Sequence, residues 1–411
     1  MNLIIVFNIF LKIILHLQLF VLDLYIKFNK FIYSKKNHEI PIKENNIFPI
    51  GLWKINEIDL KKVKDCGFNV IFPYSIEISK LEEMQSHNIY TFQYVDNNKI
   101  QYHQSILGYY LFDEPELKKN EYEYSLKSIS VKVILKKLKK FRKDINKPKI
   151  ISFSGVNSPI LLLFLYKNLR KYSNIADINC LNTYPISRFL GPLILIAYGN
   201  SLLKIFNPNK TIFSNIQVFK WYQSPKSVLP WIWHRYPTIR ELRVMVYLSL
   251  STGSKGILFF ASGLNYIPFD PVQGLFYNKG LLNELTKIIK ELKILIPFLK
   301  YSSVVNLKSQ IRPSYFRLKA LSSRNNCLII FIINFSYLQG FTNSLFTPKI
   351  IQVKMRIPNI FENNLSIFRF DTILKRFNHY DYNKNNKKLK FQFNNINDVN
   401  IFLISFKKVK K

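Results

Sequence analysis

The stretch Ile106-Leu107-Gly108-Tyr109-Tyr110-Leu111-Phe112-Asp113-Glu114-Pro115-Glu116 decides how the rest of the chain reads. Apolar and aromatic residues run on around one glycine and stop on three carboxylates. The run is too short for a free-standing helix and reads as a strand buried on both faces. Pro115 has no N–H to give to a ladder and ends it. Asp113 and Glu114 therefore fall at the carboxyl end of a buried strand, where parallel α/β folds place their chemistry. A plainer alternative is a strand followed by an acidic helix start, where the helix dipole favours negative charge.

Seven further segments have the same form. Residues 48–53, 69–74 and 88–95 precede the opening stretch, and residues 149–154, 177–185, 211–219 and 256–262 follow it. Helical periodicity lies between them at 57–65, 80–86, 121–142, 158–171, 238–252 and 280–295. Gly67 caps the first helix, Ser158-Pro159 begins the fourth, and Pro297 is expected to stop the last. Eight strands, each followed by a helical or helix-compatible segment, give an α/β protein with a (β/α)8 TIM barrel. Right-handed crossovers then bring every strand end to one face. The rival, a doubly wound open sheet, usually carries a glycine-rich phosphate turn after its first strand. Trp53-Lys54-Ile55-Asn56 contains no glycine, which disfavours a nucleotide-binding role.

Beyond Tyr301 the helical period vanishes. Residues 304–307, 327–334, 350–355, 366–370, 390–393 and 399–406 read as strands separated by polar turns, an all-β sandwich. Residues 383–388 read as a solvated hairpin tip. The chain thus divides into an apolar N-terminal segment (1–33), a polar linker (34–46), the barrel (47–300) and a C-terminal β-sandwich (301–411).

The 411 residues carry a formal net charge of +35 and are 48% hydrophobic. That charge would ordinarily suggest nucleic acid or an anionic membrane. Here the lysines are spread along the chain, no nucleic-acid motif accompanies them, and Ala176, Ala197, Ala261 and Ala320 are the only alanines. Such a composition is that of an AT-rich coding sequence, which supplies lysine wherever a polar residue will do, and no specific nucleic-acid partner is expected. Cys66, Cys180 and Cys327 are far apart with apolar neighbours, and the six histidines are scattered. Neither pattern points to disulfides, a metal centre or a cofactor.

Residues 3–26 are strongly apolar, interrupted by Lys12, His16 and Asp23. The length suits a membrane span, but a central lysine is costly there. A cleaved secretory signal would want a basic start and a small-residue cleavage site, and neither is clear. An uncleaved signal anchor or a membrane-surface helix is expected, making the protein membrane-associated or exported. With Lys27, Lys30, Lys35 and Lys36 after the run, the positive-inside rule would keep the following domain cytoplasmic. The alternative is an apolar extension lying against the domain.

The barrel resembles the large clan of retaining glycoside hydrolases with a (β/α)8 fold, in particular its β-galactosidase-like, poorly characterised bacterial members. The motifs that carry the resemblance are Gly108-Tyr109-Tyr110-Leu111-Phe112-Asp113-Glu114-Pro115-Glu116 on strand 4, Asn182-Thr183-Tyr184-Pro185 on strand 6, and Gln217-Val218-Phe219-Lys220-Trp221 on strand 7. Arg235-Tyr236-Pro237-Thr238 then leads through Glu241 to Gly253-Ser254-Lys255-Gly256-Ile257-Leu258-Phe259-Phe260. The appended sandwich is also similar to that group, so the resemblance covers residues 48–408. It implies a carbohydrate substrate and Glu114 as general acid/base. A leaving glycosidic oxygen must be protonated, and a carboxyl with like charges beside it is favoured in its protonated form. Asp113 is expected to orient Glu114 or hold a sugar hydroxyl, and Glu116 to be structural.

The sequence departs from the clan at the second carboxylate. A retaining enzyme needs one about 5–5.5 Å from the acid, normally at the end of strand 7. Gln217 stands there, and Asn182 occupies the strand 6 position where relatives often have an aspartate. Glu241 and Asp270 are possible substitutes, against plainer roles as a helix-start acid paired with Arg235 or Arg240 and as a turn residue. Trp53, Tyr74, Tyr184, Trp221, Trp231 and Trp233 lie at or after strand ends, where aromatic faces can stack on sugar rings, although core packing is the commoner fate. Asn182, Gln217 and Arg235 complete the candidate sugar-binding set. Three functions fit: a glycosidase, a catalytically degenerate carbohydrate-binding barrel, or a membrane-tethered barrel of different chemistry.

Overall fold

The computed structural model describes residues 47–406 except 54, 56–58, 74–75, 96–101, 118–127, 140–146, 156–168, 187–192, 222–234, 262–271, 314, 324–326, 337–349, 357–364, 386–387 and 395–397. Of the N-terminal segment it describes residues 13, 17, 20, 21, 23, 24 and 27.

The strands are β1 (Ile50–Trp53), β2 (Val70–Phe72), β3 (Tyr90–Tyr94), β4 (Ile106–Asp113), β5 (Lys149–Ser154), β6 (Ile178–Thr183), β7 (Thr211–Gln217), β8 (Lys220–Trp221), β9 (Ile257–Phe260) and β10 (Val272–Gln273). All but β8 and β10 close into a parallel barrel in the order β1-β2-β3-β4-β5-β6-β7-β9, with β9 pairing back onto β1. Each of the eight segments expected from the sequence supplies one barrel strand. β8 and β10 form a separate antiparallel pair. The strands read as apolar runs because both faces are covered. Phe72, Phe92, Ile150, Cys180, Phe213 and Leu258 fill the interior. Ile71, Leu111, Ile151, Ile212 and Phe259 belong to the core shared with the helices.

The barrel helices include α1 (Leu60–Asp65), α2 (Ile78–Ser86), α3 (Val131–Lys139), α4 (Leu195–Phe206), α5 (Ile239–Ser251) and α6 (Lys279–Leu299). α5 starts on a capping box: Thr238 accepts from the Glu241 backbone N–H, and Glu241 accepts from the Thr238 backbone N–H. α6 corrects one expectation. It runs through Pro297 to Leu299, because a proline in the last turn removes a single intrahelical bond, and Lys300 N–H still reaches Ile296 C=O.

β4 carries an irregularity that matters for the site. Its register with β5 runs Tyr109–Lys149 and Tyr110–Ile150, then Phe112–Ile151 and Asp113–Ser152, skipping Leu111. In a regular strand, residues three apart face opposite ways. The extra residue of a bulge resets that alternation, and Tyr110 and Asp113 both reach Ser152. Gly108 permits the approach of the neighbouring strands, since a Cβ there would lie 2.3 Å from the Pro148 carbonyl oxygen and 2.8 Å from the Phe92 ring.

The C-terminal region consists of β11 (Ser303–Val305), β12 (Ser309–Arg312), β13 (Phe316–Ser323), β14 (Cys327–Asn334), β15 (Ile350–Arg356), β16 (Leu365–Asp371), β17 (Arg376–His379), β18 (Asn383–Asn385), β19 (Lys388–Asn394) and β20 (Val399–Phe406). They form two antiparallel sheets, β11-β13-β14-β20-β16-β17 and β12-β15-β19-β18. Leu328, Ile330, Ile332 and Phe402 meet Ile351, Val353, Met355 and Phe391 between the sheets. Ile329, Phe331, Ile333 and Ile401 face the other way and join the barrel core, with the Phe331 ring 6.1 Å from that of Tyr247 on α5. β12, β13, β17 and β18 were not expected from the sequence. Their polar residues, as in Ser309-Gln310-Ile311-Arg312, hide the alternation, and ladder pairing to stronger neighbours forms them.

Between α5 and α6, Arg243 Nη1 donates to Glu291 Oε2 at 2.7 Å and the Tyr247 hydroxyl donates to the same oxygen at 2.9 Å. All three residues are buried. The described residues of the N-terminal segment are helical. Asp23 accepts from the Tyr198 hydroxyl at 2.5 Å and from Arg317 at 2.8 Å, which ties the segment to α4 and β13. Among the described residues, no helix is long and apolar enough to cross a membrane.

Candidate active site

A parallel barrel gathers its strand carboxyl ends on one face. On that face β4 delivers three acids in four residues. Asp113 is the last residue of the strand, and its Oδ1 accepts from the Ser152 hydroxyl at 2.7 Å. Ser152 Oγ also lies 2.7 Å from the Tyr110 hydroxyl. Since serine gives its proton to the carboxylate, the tyrosine donates to serine, and a Tyr110–Ser152–Asp113 chain results. Burial first, then the Asp113 charge, pushes the Tyr110 phenol well above its ordinary range, so it remains a donor.

Glu114 turns the chain out of the strand with a φ of 50°. That left-handed conformation is uncommon for a non-glycine residue and costs roughly 1 kcal/mol or more. The backbone holds it from both sides. Glu114 N–H donates to Ser152 C=O at 3.0 Å, and Leu117 N–H donates to Glu114 C=O at 3.0 Å. Its carboxylate Oε1 accepts from Asn182 Nδ2 at 3.0 Å. Asn215 Nδ2 donates in turn to Asn182 Oδ1 at 3.2 Å and to the Tyr184 hydroxyl at 2.9 Å. A polar network thus runs from β4 through β6 to β7. The exit of β5 closes against it: Gly155 N–H donates to Asn182 C=O at 2.5 Å, and a Cβ at Gly155 would lie 2.1 Å from that oxygen.

Glu116 is buried, with 1% of its surface exposed. Its Oε1 accepts from Ser154 N–H at 2.5 Å, and its Oε2 has no hydrogen-bond partner among the described residues. Burial, and after it the Glu114 charge, pushes the Glu116 carboxyl well above the usual carboxylate range. The neighbouring Glu114 charge thus adds to burial in opposing ionisation of Glu116.

The remaining sequence-derived candidates fall in three groups. Tyr184 belongs to the network, and its ring packs on Phe219 and Phe260 at 5.1 and 5.4 Å. Trp53 lies inside the barrel, 4.5 Å from the Phe72 ring and 4.9 Å from that of Tyr110, with Nε1 lacking a partner among the described residues. Gln217 is fully buried. Its Oε1 accepts from Ile186 N–H at 2.8 Å, and its Nε2 donates to the carbonyls of Ile186 at 2.8 Å and Phe219 at 3.3 Å. This amide clamps the loop after β6 onto the end of β7. Glu241, also buried, takes both terminal nitrogens of Arg235 at 2.7 Å and the Thr238 N–H at 2.7 Å. The Tyr74, Trp231, Trp233 and Asp270 positions and the Trp221 side chain lie outside the described residues.

Two participants were missed from the sequence, Ser152 and Asn215. The available signal was a polar residue at an inward position of a buried strand, in Lys149-Ile150-Ile151-Ser152-Phe153-Ser154 and in Thr211-Ile212-Phe213-Ser214-Asn215-Ile216-Gln217. Among the described residues, no group of three His, Cys, Asp or Glu side chains could hold a metal ion.

No family model and no curated protein matches the chain in sequence. Solved structures match it in fold. One, described as a glycoside hydrolase, has a TM-score of 0.57 and 11% identity, over 91% of this chain and 96% of that one. A family 5 glycoside hydrolase from Bacteroides vulgatus has a TM-score of 0.51 and 11% identity, over 91% and 93% of the two chains. The fold is therefore that of a (β/α)8 barrel with an appended antiparallel sheet region, and these two proteins of similar fold are glycoside hydrolases.

Proposed function

We propose that the protein is a carbohydrate-active hydrolase of the glycosidase type, with Glu114 as general acid/base. The observation that carries the reading is the placement of Glu114. It stands at the carboxyl end of barrel strand β4, in a held left-handed turn, and Asn182 fixes one of its oxygens. A group that must present a proton to a leaving oxygen needs that fixed direction. Asp113, oriented by Ser152, is assigned to orient the site or hold a sugar hydroxyl, and Tyr184 and Asn182 to line it.

For the second carboxylate the candidates are Asp270, in the segment after β9, and Glu241. Glu241 is the weaker candidate because Arg235 and the Thr238 N–H already take both of its oxygens. Trp221, Trp231 and Trp233 are assigned to stacking on the sugar.

A second reading, a binding barrel without turnover, is favoured by one observation: β7 ends on Gln217, whose amide is spent on the backbone. A panel of aryl glycosides separates the two. Glu114→Gln should lower turnover by about 10²–10⁴-fold with an unchanged melting temperature. Asp270→Asn should give a comparable loss, whereas Glu241→Gln should act mainly on stability. Sugar binding without turnover in wild type and Glu114→Gln alike would establish the binding barrel instead.

A further inference from the structure

The N-terminal helix carries an apolar row that the barrel chemistry does not use. At 100° per residue, Ile13, Leu17, Phe20 and Leu24 share one stripe, and Val21 lies at its edge. All five are exposed, Leu17 at 61% and Phe20 at 60%. Asp23 projects from the flank of that stripe and is bonded to Tyr198 of α4 and Arg317 of β13. The Tyr198 hydroxyl is pushed well above its ordinary range, by burial first and then by Asp23, so it stays a donor to that carboxylate. The helix is thereby pinned at the seam of barrel and sandwich with its apolar row turned outward.

A contiguous row of large apolar side chains in water marks an interaction surface. The charge around it indicates the partner. Residues 1–36 hold Lys12, Lys27, Lys30, Lys35 and Lys36, and Asp23 is their single acid. That acid is the one engaged with the body of the protein. Lys27 is exposed beside the stripe, so an apolar row with lysine at its edge faces outward, the pattern of a helix lying in the plane of an anionic bilayer.

We propose that this helix seats the protein on an anionic phospholipid surface. Ile13, Leu17, Phe20, Val21 and Leu24 enter the acyl boundary, the lysines meet lipid phosphates, and Asp23 couples the helix to the body through Tyr198 and Arg317. The proposal is independent of the chemistry at Glu114.

Because a chain of net charge +35 binds any anionic surface to some degree, the deciding comparison holds charge constant. Full-length protein is floated with vesicles of phosphatidylcholine alone and of phosphatidylcholine mixed with phosphatidylglycerol, at a salt concentration that screens exposed charges. Wild type should float with the mixed vesicles, and Leu17→Ser/Phe20→Ser should bind them about tenfold or more weakly. Ile13→Ser/Leu24→Ser repeats the comparison from the same stripe if the first variant melts differently from wild type. Equal binding by wild type and the charge-matched variants would overturn the proposal. So would a wild-type dimer that the same substitutions dissociate, since a second copy would then cover the stripe. Wild type that resists alkaline carbonate extraction from the vesicles would overturn it as well, because the segment would then span the bilayer.

Discussion

The acids leaving β4 and the acids on α5 and α6 are equally part of the barrel, yet they are held in different ways. Glu241 and Glu291 are buried against guanidinium groups, Arg235 at 2.7 Å and Arg243 at 2.7 Å. Asp113 accepts from a serine hydroxyl, Glu114 from an asparagine amide and Glu116 from a backbone N–H. Hydrogen bonds from a guanidinium to a carboxylate are charge-assisted and among the stronger ones. Hydroxyl, amide and backbone partners fix the direction in which a carboxyl points. In a protein with 60 lysines and arginines, that difference sets the two helix carboxylates paired with guanidinium groups apart from the three at the end of β4.

The sharpest way to break this comparison is at the frame. Arg243→Met strands a buried Glu291 charge and should cost about 3–5 kcal/mol of stability by denaturant titration, while the folded fraction keeps the turnover of wild type. A loss below about 1 kcal/mol, the range of exposed pairs, would mean that Glu291 does not depend on its cation and would remove the contrast.

Glu116 tests the other side. Its folded pKa is raised, so the native state keeps a proton that the unfolded chain releases above about pH 4.3. Wild-type stability should therefore fall as pH rises through the window above that value, by up to about 1.4 kcal/mol per pH unit for one proton. Glu116→Gln keeps an oxygen for Ser154 N–H and removes the titration. Its advantage over wild type should grow with pH, measured as melting temperature from pH 4 to 8. Parallel profiles for the two proteins would show that Glu116 is ionised in the fold. The smallest effect is expected at Ser152→Ala, which takes the hydroxyl from between Tyr110 and Asp113 and should cost about 1 kcal/mol. If stability and KM are both unchanged, Ser152 does not orient Asp113.

Much of the architecture was legible because burial on both faces writes itself into sequence as short apolar runs. All eight barrel strands and the sandwich strands β14 and β20 have that form. The acids of β4 were legible for the same reason, since the apolar run stops where the strand meets the mouth. What the sequence did not disclose depends on register. The skip at Leu111 exists only relative to β5, and it is what brings Asp113 to the Tyr110 side of the strand. Gln217 has the position of a site residue in the chain, but the loop after β6 returns close enough for Ile186 to take its amide. Asn215 was hidden because an asparagine in an apolar strand reads as a local weakness until its neighbours across the barrel are known.

β14 has a consequence beyond stability. Cys327-Leu328-Ile329-Ile330-Phe331-Ile332-Ile333-Asn334 is uncharged, free of proline and glycine, and buried at every position. One face is covered by the partner sheet and the other by the barrel helices. A nascent or partly unfolded chain in which either cover is missing displays an eight-residue segment suited to cross-β stacking with other copies. Docking of the sandwich onto α5 and α6 is therefore also a device for solubility. It makes the order in which the two regions meet a determinant of how much of this protein a cell recovers in usable form.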